Sequence, residues 1–313
     1  MAASVLYRRA RPAHVAVTPW RADDGTMLRS FRWPSELDVP RGSLLFQTGR
    51  GDFFEKYLEL FAHWHGRGWN LTGFDWRGQG GSARSGTHAR TGHVDRFEEY
   101  VSELVGFARS WTAEAAAPRV MVGHSMGGHL LLRAMVEGHV RPDAAVLVAP
   151  MLGLQSPFGQ RLGGLVARLM AGLGAPGRPA WRAGETPLAR AERALLLTAD
   201  EARYADEQWW YEANPELHTG PPSWRWLAEA FGSTAALARD PRLATLDVPI
   251  LALVADADRL VDAAVARRVL ARLPNVTVVR FGSEARHELL READPVRNRV
   301  IAKIDEFLAA HAP

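Results

Sequence analysis

The chain has 313 residues, 47% of them hydrophobic and 23% charged, which is enough for one large core and argues against overall disorder. Its formal charge is +3 and its arginines are scattered, so we expect no nucleic-acid partner, although weak attraction to anionic lipid fits this balance. It contains no cysteine, which excludes disulfides, thiolate metal sites and a cysteine nucleophile.

The beginning of the chain is basic without being apolar. Arg8, Arg9 and Arg11 are not followed by a hydrophobic run, so the sequence predicts no signal peptide. No stretch of the sequence reaches the roughly 18 consecutive apolar residues that span a bilayer. We therefore expect a cytoplasmic protein, and we leave open a peripheral contact with the inner membrane.

Strand-like segments alternate with helix-like segments along most of the chain. Two alternating runs, 14–20 and 26–33, flank Asp24-Gly25 and predict a β-hairpin. The further predicted strands are short and apolar: 43–48, 69–75, 119–122, 144–149, 249–254 and 275–281. Predicted helices with one apolar face lie at 53–65, 95–112 and 296–310. This order predicts an α/β protein whose mostly parallel sheet is flanked by helices, with the hairpin at one edge.

The segment 151–235 differs in composition from the rest. It is rich in Gly, Pro, Arg and Trp, and it carries an apolar helical run at 158–173 but no clear strand pattern. We interpret it as a helical cap inserted between two parts of one core, 1–150 and 236–313. Its apolar residues favour either an acyl-binding groove that leans on a membrane or simple attachment of the cap to the core.

A Gly-x-Ser-x-Gly motif lies between a predicted strand and a predicted helix, at Gly123 to Gly127. A serine on such a tight turn needs small neighbours, and the helix after it directs free N–H groups toward the site. Ser125 is therefore the predicted nucleophile, and the Met126 N–H is a predicted oxyanion donor. The alternative is a glycine-rich turn that carries a surface serine.

A serine hydroxyl needs a base and an orienting acid, which follow it in the order Ser, acid, His. Asp258 lies just after the predicted strand 249–254, and His287 lies shortly after the last strand. Functional residues of such folds lie at the carboxyl ends of strands, so Asp258 and His287 are the predicted acid and base. Asp256 and Asp262 remain alternatives for the acid, and Asp262 is also suited to cap the next helix.

A second oxyanion donor is expected from the loop that follows the strand 43–48. This loop reads Thr48-Gly49-Arg50-Gly51, and the backbone N–H of Arg50 is the candidate donor. The alternative is that the glycines only shape the turn. No metal-ligand spacing such as H-E-x-x-H occurs, so we expect no metal and no other cofactor.

Several segments together resemble one branch of the α/β-hydrolases, which contains monoacylglycerol lipases and bacterial lysophospholipases and belongs to the serine aminopeptidase S33-like hydrolases. The segments that carry the resemblance are Gly49-Arg50-Gly51 with Lys56-Tyr57 and Glu59-Leu60, Phe74 to Ser82, Gly123 to Gly128, Asp258 to Asp262, and His287 to Leu290. The resemblance covers about residues 20 to 310. It implies the α/β-hydrolase fold, a Ser125–His287–Asp258 triad and ester hydrolysis on lipid-like substrates. Thr48-Gly49 replaces the His-Gly that most members carry at the oxyanion loop.

The predicted reaction is ester hydrolysis through an acyl-enzyme, with a lysophospholipid or a monoacylglycerol as the first substrate prediction. A short-chain carboxylic ester is the second prediction, and a peptide is the third. An acyltransferase with the same triad and an inactive binding protein are the alternatives outside hydrolysis. Ser125 argues against enzymes that need an aspartate nucleophile at the turn, such as haloalkane dehalogenases.

Overall fold

The computed structural model describes residues 8–84, 90–157, 159–182 and 187–313. Phe158, which opens the predicted apolar run of the cap, lies outside these described residues, as do residues 1–7. Among the described residues, no helix combines the length and the hydropathy needed to cross a bilayer.

The described part of the chain forms one eight-stranded sheet. Its strands are β1 Ala16–Arg21, β2 Met27–Trp33, β3 Gly42–Gln47, β4 Trp69–Phe74, β5 Arg119–His124, β6 Ala144–Val148, β7 Ile250–Ala255 and β8 Val276–Phe281. They stand in the order β1-β2-β4-β3-β5-β6-β7-β8. The pairs β1–β2 and β2–β4 are antiparallel, and all later neighbours are parallel. The mostly parallel sheet with an antiparallel hairpin at its edge is confirmed.

The described residues also form helices between and after these strands. They are α1 Leu58–His65, α2 Phe97–Glu114, α3 Met126–Val136, α4 Gly159–Gly172, α5 Pro187–Leu197, α6 Glu201–Ala213, α7 Trp224–Leu237, α8 Ala263–Leu270 and α9 Asp294–His311. The helix predicted at 53–65 is divided, because a 3-10 turn at Phe54–Tyr57 precedes α1. In this turn Lys56 and Tyr57 both bond to the carboxylate of Asp52.

The core lies on both faces of the sheet, because side chains along a strand point alternately to either side. In β5, Met121 belongs to the hydrophobic cluster on one face, which also contains Leu104 of α2. Val122 belongs to the cluster on the other face, with Phe61 of α1 and Ile304 of α9. Burying each such aliphatic side chain stabilises the fold by about 1.5–3 kcal/mol. Strands that are apolar on both faces explain the continuous hydrophobic runs of the sequence.

Four helices, α4 to α7, occupy the described residues between β6 and β7. Small residues let α4 approach α7 closely, since a Cβ at Gly163 would lie 3.0 Å from the Phe231 ring. The leucines of α4 face outward, with Leu162, Leu165 and Leu169 exposed by 48%, 55% and 59%. These leucines face the solvent, so they do not attach the helix to the core, and the alternative of an acyl-binding groove that leans on a membrane stays a prediction. The division into core and cap stays a prediction.

Candidate active site

Ser125 lies between β5 and α3 in a strained backbone conformation, with φ of 51° and ψ of −115°. Its glycine neighbours allow this turn because there is no room for a Cβ. A Cβ at Gly123 would lie 2.7 Å from the backbone of Gly127, and a Cβ at Gly127 would lie 2.6 Å from the carbonyl oxygen of Thr48. The turn lifts the serine out of the strand and holds it at the carboxyl edge of the sheet.

The structure brings the three predicted triad residues together. Ser125 Oγ lies 2.9 Å from His287 Nε2, and His287 Nδ1 lies 2.6 Å from Asp258 Oδ2. The other oxygen of Asp258 accepts the N–H groups of Leu260 and Val261 at 2.8 and 3.0 Å. All three triad side chains are buried. Asp258 is thereby held through both of its oxygens, and it orients the imidazole toward the serine.

The electrostatics of the site favour a charged Asp258 beside a basic His287. Burial alone would raise the pKa of Asp258, but the attraction and hydrogen bond of His287, with two backbone N–H groups, hold that pKa below its usual value. Burial alone would lower the pKa of His287, but Asp258 together with Glu288 and Asp52 outweighs burial and raises that pKa. The imidazole is therefore readied to take a proton.

Asp256 and Asp262, the two alternatives for the acid, form other contacts. Asp256 forms a surface ion pair with Arg280 at 2.6 Å and also contacts Arg267. Asp262 caps α8 by accepting the N–H of Val265 at 2.9 Å. Only Asp258 among the three is placed against His287 in the described part of the chain.

The loop after β3 lies directly against the serine. A Cβ at Gly49 would come within 3.1 Å of the Cβ of Ser125. On the other side of the serine, Met126 is the first residue of α3, so its N–H has no acceptor inside the helix. Two elements thus flank Ser125 with backbone N–H groups.

Within this loop, the N–H groups on either side of Arg50 are already used. The Gly49 N–H donates to Asp52 Oδ2 at 3.1 Å, and the Gly51 N–H donates to Gln79 Oε1. The Arg50 N–H between them has no hydrogen-bond acceptor among the described residues. It is therefore available for an oxygen of a bound ligand.

A buried charge network behind this loop was missed by the sequence analysis. Asp52 accepts the Tyr57 hydroxyl at 2.7 Å, and Lys56 Nζ contacts Asp52, Glu288 at 2.7 Å and Glu207 at 2.8 Å. The signal available was weak: a lysine within an amphipathic pattern, in a chain whose basic residues are nearly all arginine. Lys56 shares two of these carboxylates with Arg291, which pairs with Glu207 and Glu288. Within the described ranges, no group of three or more His, Asp or Glu is placed to hold a metal ion.

Comparison with known proteins agrees with this geometry. Residues 38–294 match the family described as serine aminopeptidase, S33. The chain is 30% identical to lysophospholipase L2 of Escherichia coli (strain K12) over 281 residues, covering 84% of this chain and 79% of that protein. It is 28% identical over 273 residues to the probable lysophospholipase L2 of Haemophilus influenzae, covering 86% and 84% of the two chains.

The fold is likewise shared with solved structures. A soluble variant of monoglyceride lipase from Saccharomyces cerevisiae, solved in complex with a substrate analog, matches with a TM-score of 0.79 and 20% identity over 97% of each chain. The predicted α/β-hydrolase fold is confirmed by this likeness. The match over residues 38–294 covers most of the sequence, and the chain therefore belongs to the serine aminopeptidase S33 family of hydrolases.

Proposed function

We propose that this enzyme hydrolyses the carboxylic ester of lysophospholipids or monoacylglycerols through an acyl-enzyme on Ser125. The observation that carries the proposal is the hydrogen-bonded series from Ser125 Oγ through His287 to Asp258, with distances of 2.9 and 2.6 Å. Relatives named lysophospholipase L2 and a structural neighbour named monoglyceride lipase support a lipid ester as substrate.

The proposed mechanism assigns one task to each residue. His287 Nε2 accepts the Ser125 proton while Oγ attacks the ester carbonyl carbon. The backbone N–H groups of Met126 and Arg50 donate to the carbonyl oxygen as it becomes negative, and each such donor contributes roughly 100- to 1,000-fold in rate. Asp258 stabilises the imidazolium, which then protonates the leaving glycerol oxygen. Water repeats the attack on the acyl-enzyme and releases the fatty acid.

The proposal includes contact with a lipid surface through α4. Leu162, Leu165 and Leu169 follow one another at helical spacing and are exposed, and Arg161 and Arg168 are exposed on the same helix. A helix with an exposed apolar stripe and basic residues lies well in the headgroup region of an anionic membrane. A cytoplasmic location, expected from the sequence, stays a prediction.

Initial rates on p-nitrophenyl esters of increasing chain length, on lysophosphatidylcholine and on a monoacylglycerol test this proposal. We expect long acyl chains to react faster, both lipids to be cleaved, and Ser125→Ala to be inactive while Ser102→Ala, an exposed serine of α2, keeps full activity. Turnover of short esters alone would overturn the lipid assignment and leave a general carboxylesterase.

Product analysis separates hydrolysis from acyl transfer. With a lysophospholipid and an added acceptor alcohol, a hydrolase releases mainly free fatty acid, whereas an acyltransferase with the same triad releases mainly the new ester. We expect free fatty acid to remain the main product. A predominant new ester would replace hydrolysis by transfer while leaving the role of Ser125 intact.

A further inference from the structure

Arg50 carries a second functional group in the loop that holds the proposed oxyanion donor. Its guanidinium donates to the carbonyl oxygen of Gly220, in the segment between α6 and α7. The Cζ atom lies 5.4 Å from the ring centroid of Trp226, and a Cβ at Gly92 would lie 3.0 Å from Nη2. The guanidinium is therefore fixed where the oxyanion loop meets the helices between β6 and β7.

Among the described residues, no carboxylate forms an ion pair with this charge. Arg50 forms no ion pair in the described part of the chain, and its Nε is buried without a hydrogen-bond partner. Arg77, Arg203 and Arg291, which are buried, each contact at least two carboxylates. The guanidinium of Arg50 instead has one carbonyl oxygen and one aromatic ring beside it, and an anion bound in the site would stabilise its charge.

The pKa of Arg50 agrees with this arrangement. Burial, with added repulsion from Arg193, lowers the pKa of Arg50 to about 10. The group therefore still carries its charge at neutral pH. The exposure of Arg50 is intermediate although its Nε is covered, so part of the side chain is open to solvent.

The length of the side chain matches one of the two proposed lipid classes. The Arg50 backbone N–H and Cζ are separated by as many covalent bonds as the ester carbonyl carbon and the phosphorus of a lysophospholipid. The Arg50 side chain is therefore long enough for its guanidinium to reach the phosphate of a lysophospholipid whose carbonyl oxygen accepts the backbone N–H of the same residue. Guanidinium presents several N–H donors in a fork that fits phosphate oxygens, whereas the head of a monoacylglycerol offers only neutral hydroxyls.

We infer that the Arg50 side chain binds the phosphate of the substrate head group, so that this site prefers lysophospholipids to monoacylglycerols. The inference rests on the proposed function, because it states which of two lipid classes the same site prefers. Arg50 would then act twice, with its N–H on the oxyanion and its guanidinium on the head group.

A purely structural role for Arg50 is the competing explanation, and Arg84 supplies the matched control. Arg84 also ties the segment between α6 and α7 to the core, donating to the carbonyl oxygens of Glu216 at 2.6 Å and His218 at 3.3 Å. Its Nη1 donates to the carbonyl oxygen of Gly78 at 2.9 Å, and the Nη2 that contacts Glu216 and His218 also donates to the carbonyl oxygen of Gly80 at 3.0 Å. Arg84 therefore links the same segment to the core, and its Nη1 and Nη2 groups already have acceptors within the protein.

The test compares kcat/KM for lysophosphatidylcholine and for a monoacylglycerol of the same acyl chain in the same mixed micelles. Both lipids have no net charge, so the micelle surface is alike, and the ratio of the two values cancels any general damage to the loop. We expect Arg50→Gln to lower this ratio roughly ten- to hundredfold, the loss expected for hydrogen bonds to a charged group. We expect Arg84→Gln to change it less than about twofold.

The outcomes separate the inference from the proposed function. An unchanged ratio in Arg50→Gln, or an equal fall in Arg84→Gln, would overturn the phosphate assignment. Failure of the wild type to cleave either lipid would instead overturn the proposed function.

Competition on the wild type gives a second test that needs no variant. We expect sn-glycerol 3-phosphate to inhibit at least tenfold more strongly than glycerol, and more strongly than inorganic phosphate. Of the three compounds, only sn-glycerol 3-phosphate carries both the glycerol and the phosphate of the head group. Equal inhibition by glycerol and sn-glycerol 3-phosphate would overturn the inference. Strongest inhibition by inorganic phosphate would overturn it too, in favour of a site for the free anion.

Discussion

The ammonium of Lys56 lies 2.7 Å from Oε1 of Glu288, the residue that directly follows His287. Lys56 also contacts Asp52, which accepts the N–H of Gly49 in the loop after β3, and it lies 2.8 Å from Glu207 of α6. One buried cation therefore connects the loop of the proposed oxyanion donor, the segment of the proposed base and a helix between β6 and β7.

Replacing this cation removes the charge that several buried carboxylates share. We expect Lys56→Met to lower the free energy of unfolding by about 3–5 kcal/mol, the cost of leaving buried charges unpaired. Urea denaturation of both proteins measures the difference. The matched control is Lys303→Met, because Lys303 pairs with Glu306 at 2.7 Å on the surface, where a change below about 0.5 kcal/mol is expected. Equal losses in the two variants would contradict this role for Lys56.

The pH profile of kcat/KM reports the proposed base. Only a neutral imidazole accepts the Ser125 proton, so activity falls as the pH drops through the pKa of His287. Burial lowers that pKa, but Asp258 together with Glu288 and Asp52 raises it more, so we expect the acid limb to have its midpoint above the ordinary histidine value of about 6.5. A wild-type midpoint at or below that value would speak against the pairing.

Removing the charge of Asp258 tests the pairing of Asp258 with His287 a second time. We expect Asp258→Asn to lower kcat roughly ten-thousand-fold and to move the acid limb to lower pH, because the imidazolium loses its partner. Steady-state rates across the pH range measure both effects. Asp256→Asn is the control, since Asp256 pairs with Arg267 and Arg280 instead, and it is expected to leave rate and midpoint unchanged. A comparable loss of kcat in Asp256→Asn would contradict the assignment of Asp258 as the acid of the triad.

The turn at Ser125 depends on close backbone contacts. A Cβ at Gly127 would lie 2.6 Å from the carbonyl oxygen of Thr48, so Gly127→Ala must displace the serine or the oxyanion loop. We expect kcat/KM to fall at least about 100-fold, as for misplacement by about 1 Å. Gly232→Ala serves as the control, because a Cβ there meets nothing within 4 Å and α7 gains a better helix former. If Gly127→Ala stayed as active as Gly232→Ala, the tight-turn explanation would be wrong.

The outward stripe of α4 is expected to bind lipid surfaces. Introducing charge with Leu165→Glu and Leu169→Glu together should lower partitioning onto phosphatidylglycerol-containing vesicles at least about tenfold, since two apolar side chains no longer enter the interface. Sedimentation with vesicles measures the bound fraction. Leu37→Glu, which changes an exposed leucine before β3, is the control and is expected to bind as the wild type does. Equal binding by all three proteins would exclude α4 as the contact.

Local patterns were sufficient to predict the strands and the serine turn. The hairpin follows from two alternating runs around Asp24-Gly25, and it pairs as predicted, with Arg21 opposite Met27. The segments carrying Ser125, Asp258 and His287 each combine a buried strand with the residue types that their position allows. Such features are encoded within a few neighbouring residues, so the sequence alone reveals them.

Contacts between residues that are far apart in the sequence could not be predicted from local patterns. Lys56, Glu207 and Glu288 are far apart in sequence, and only the folded chain places them together. The direction in which α4 faces depended on tertiary packing in the same way. Its leucines were expected either to line an acyl-binding groove that leans on a membrane or to attach the cap to the core. Gly163 and Ala167 form the packing face instead, because α7 approaches too closely for larger residues. Periodicity identifies an apolar face of a helix without saying what that face contacts.

Covalent labelling of Ser125 tests the proposed mechanism most directly. A fluorophosphonate carrying a long alkyl chain reacts with a serine that a neighbouring base activates, and mass spectrometry of the digested protein locates the adduct. We predict one adduct per chain, on the peptide containing Ser125, and loss of lysophosphatidylcholine hydrolysis in proportion to labelling. Labelling of a different residue, or full hydrolysis by a protein fully modified at Ser125, would contradict the assignment of Ser125 as the nucleophile.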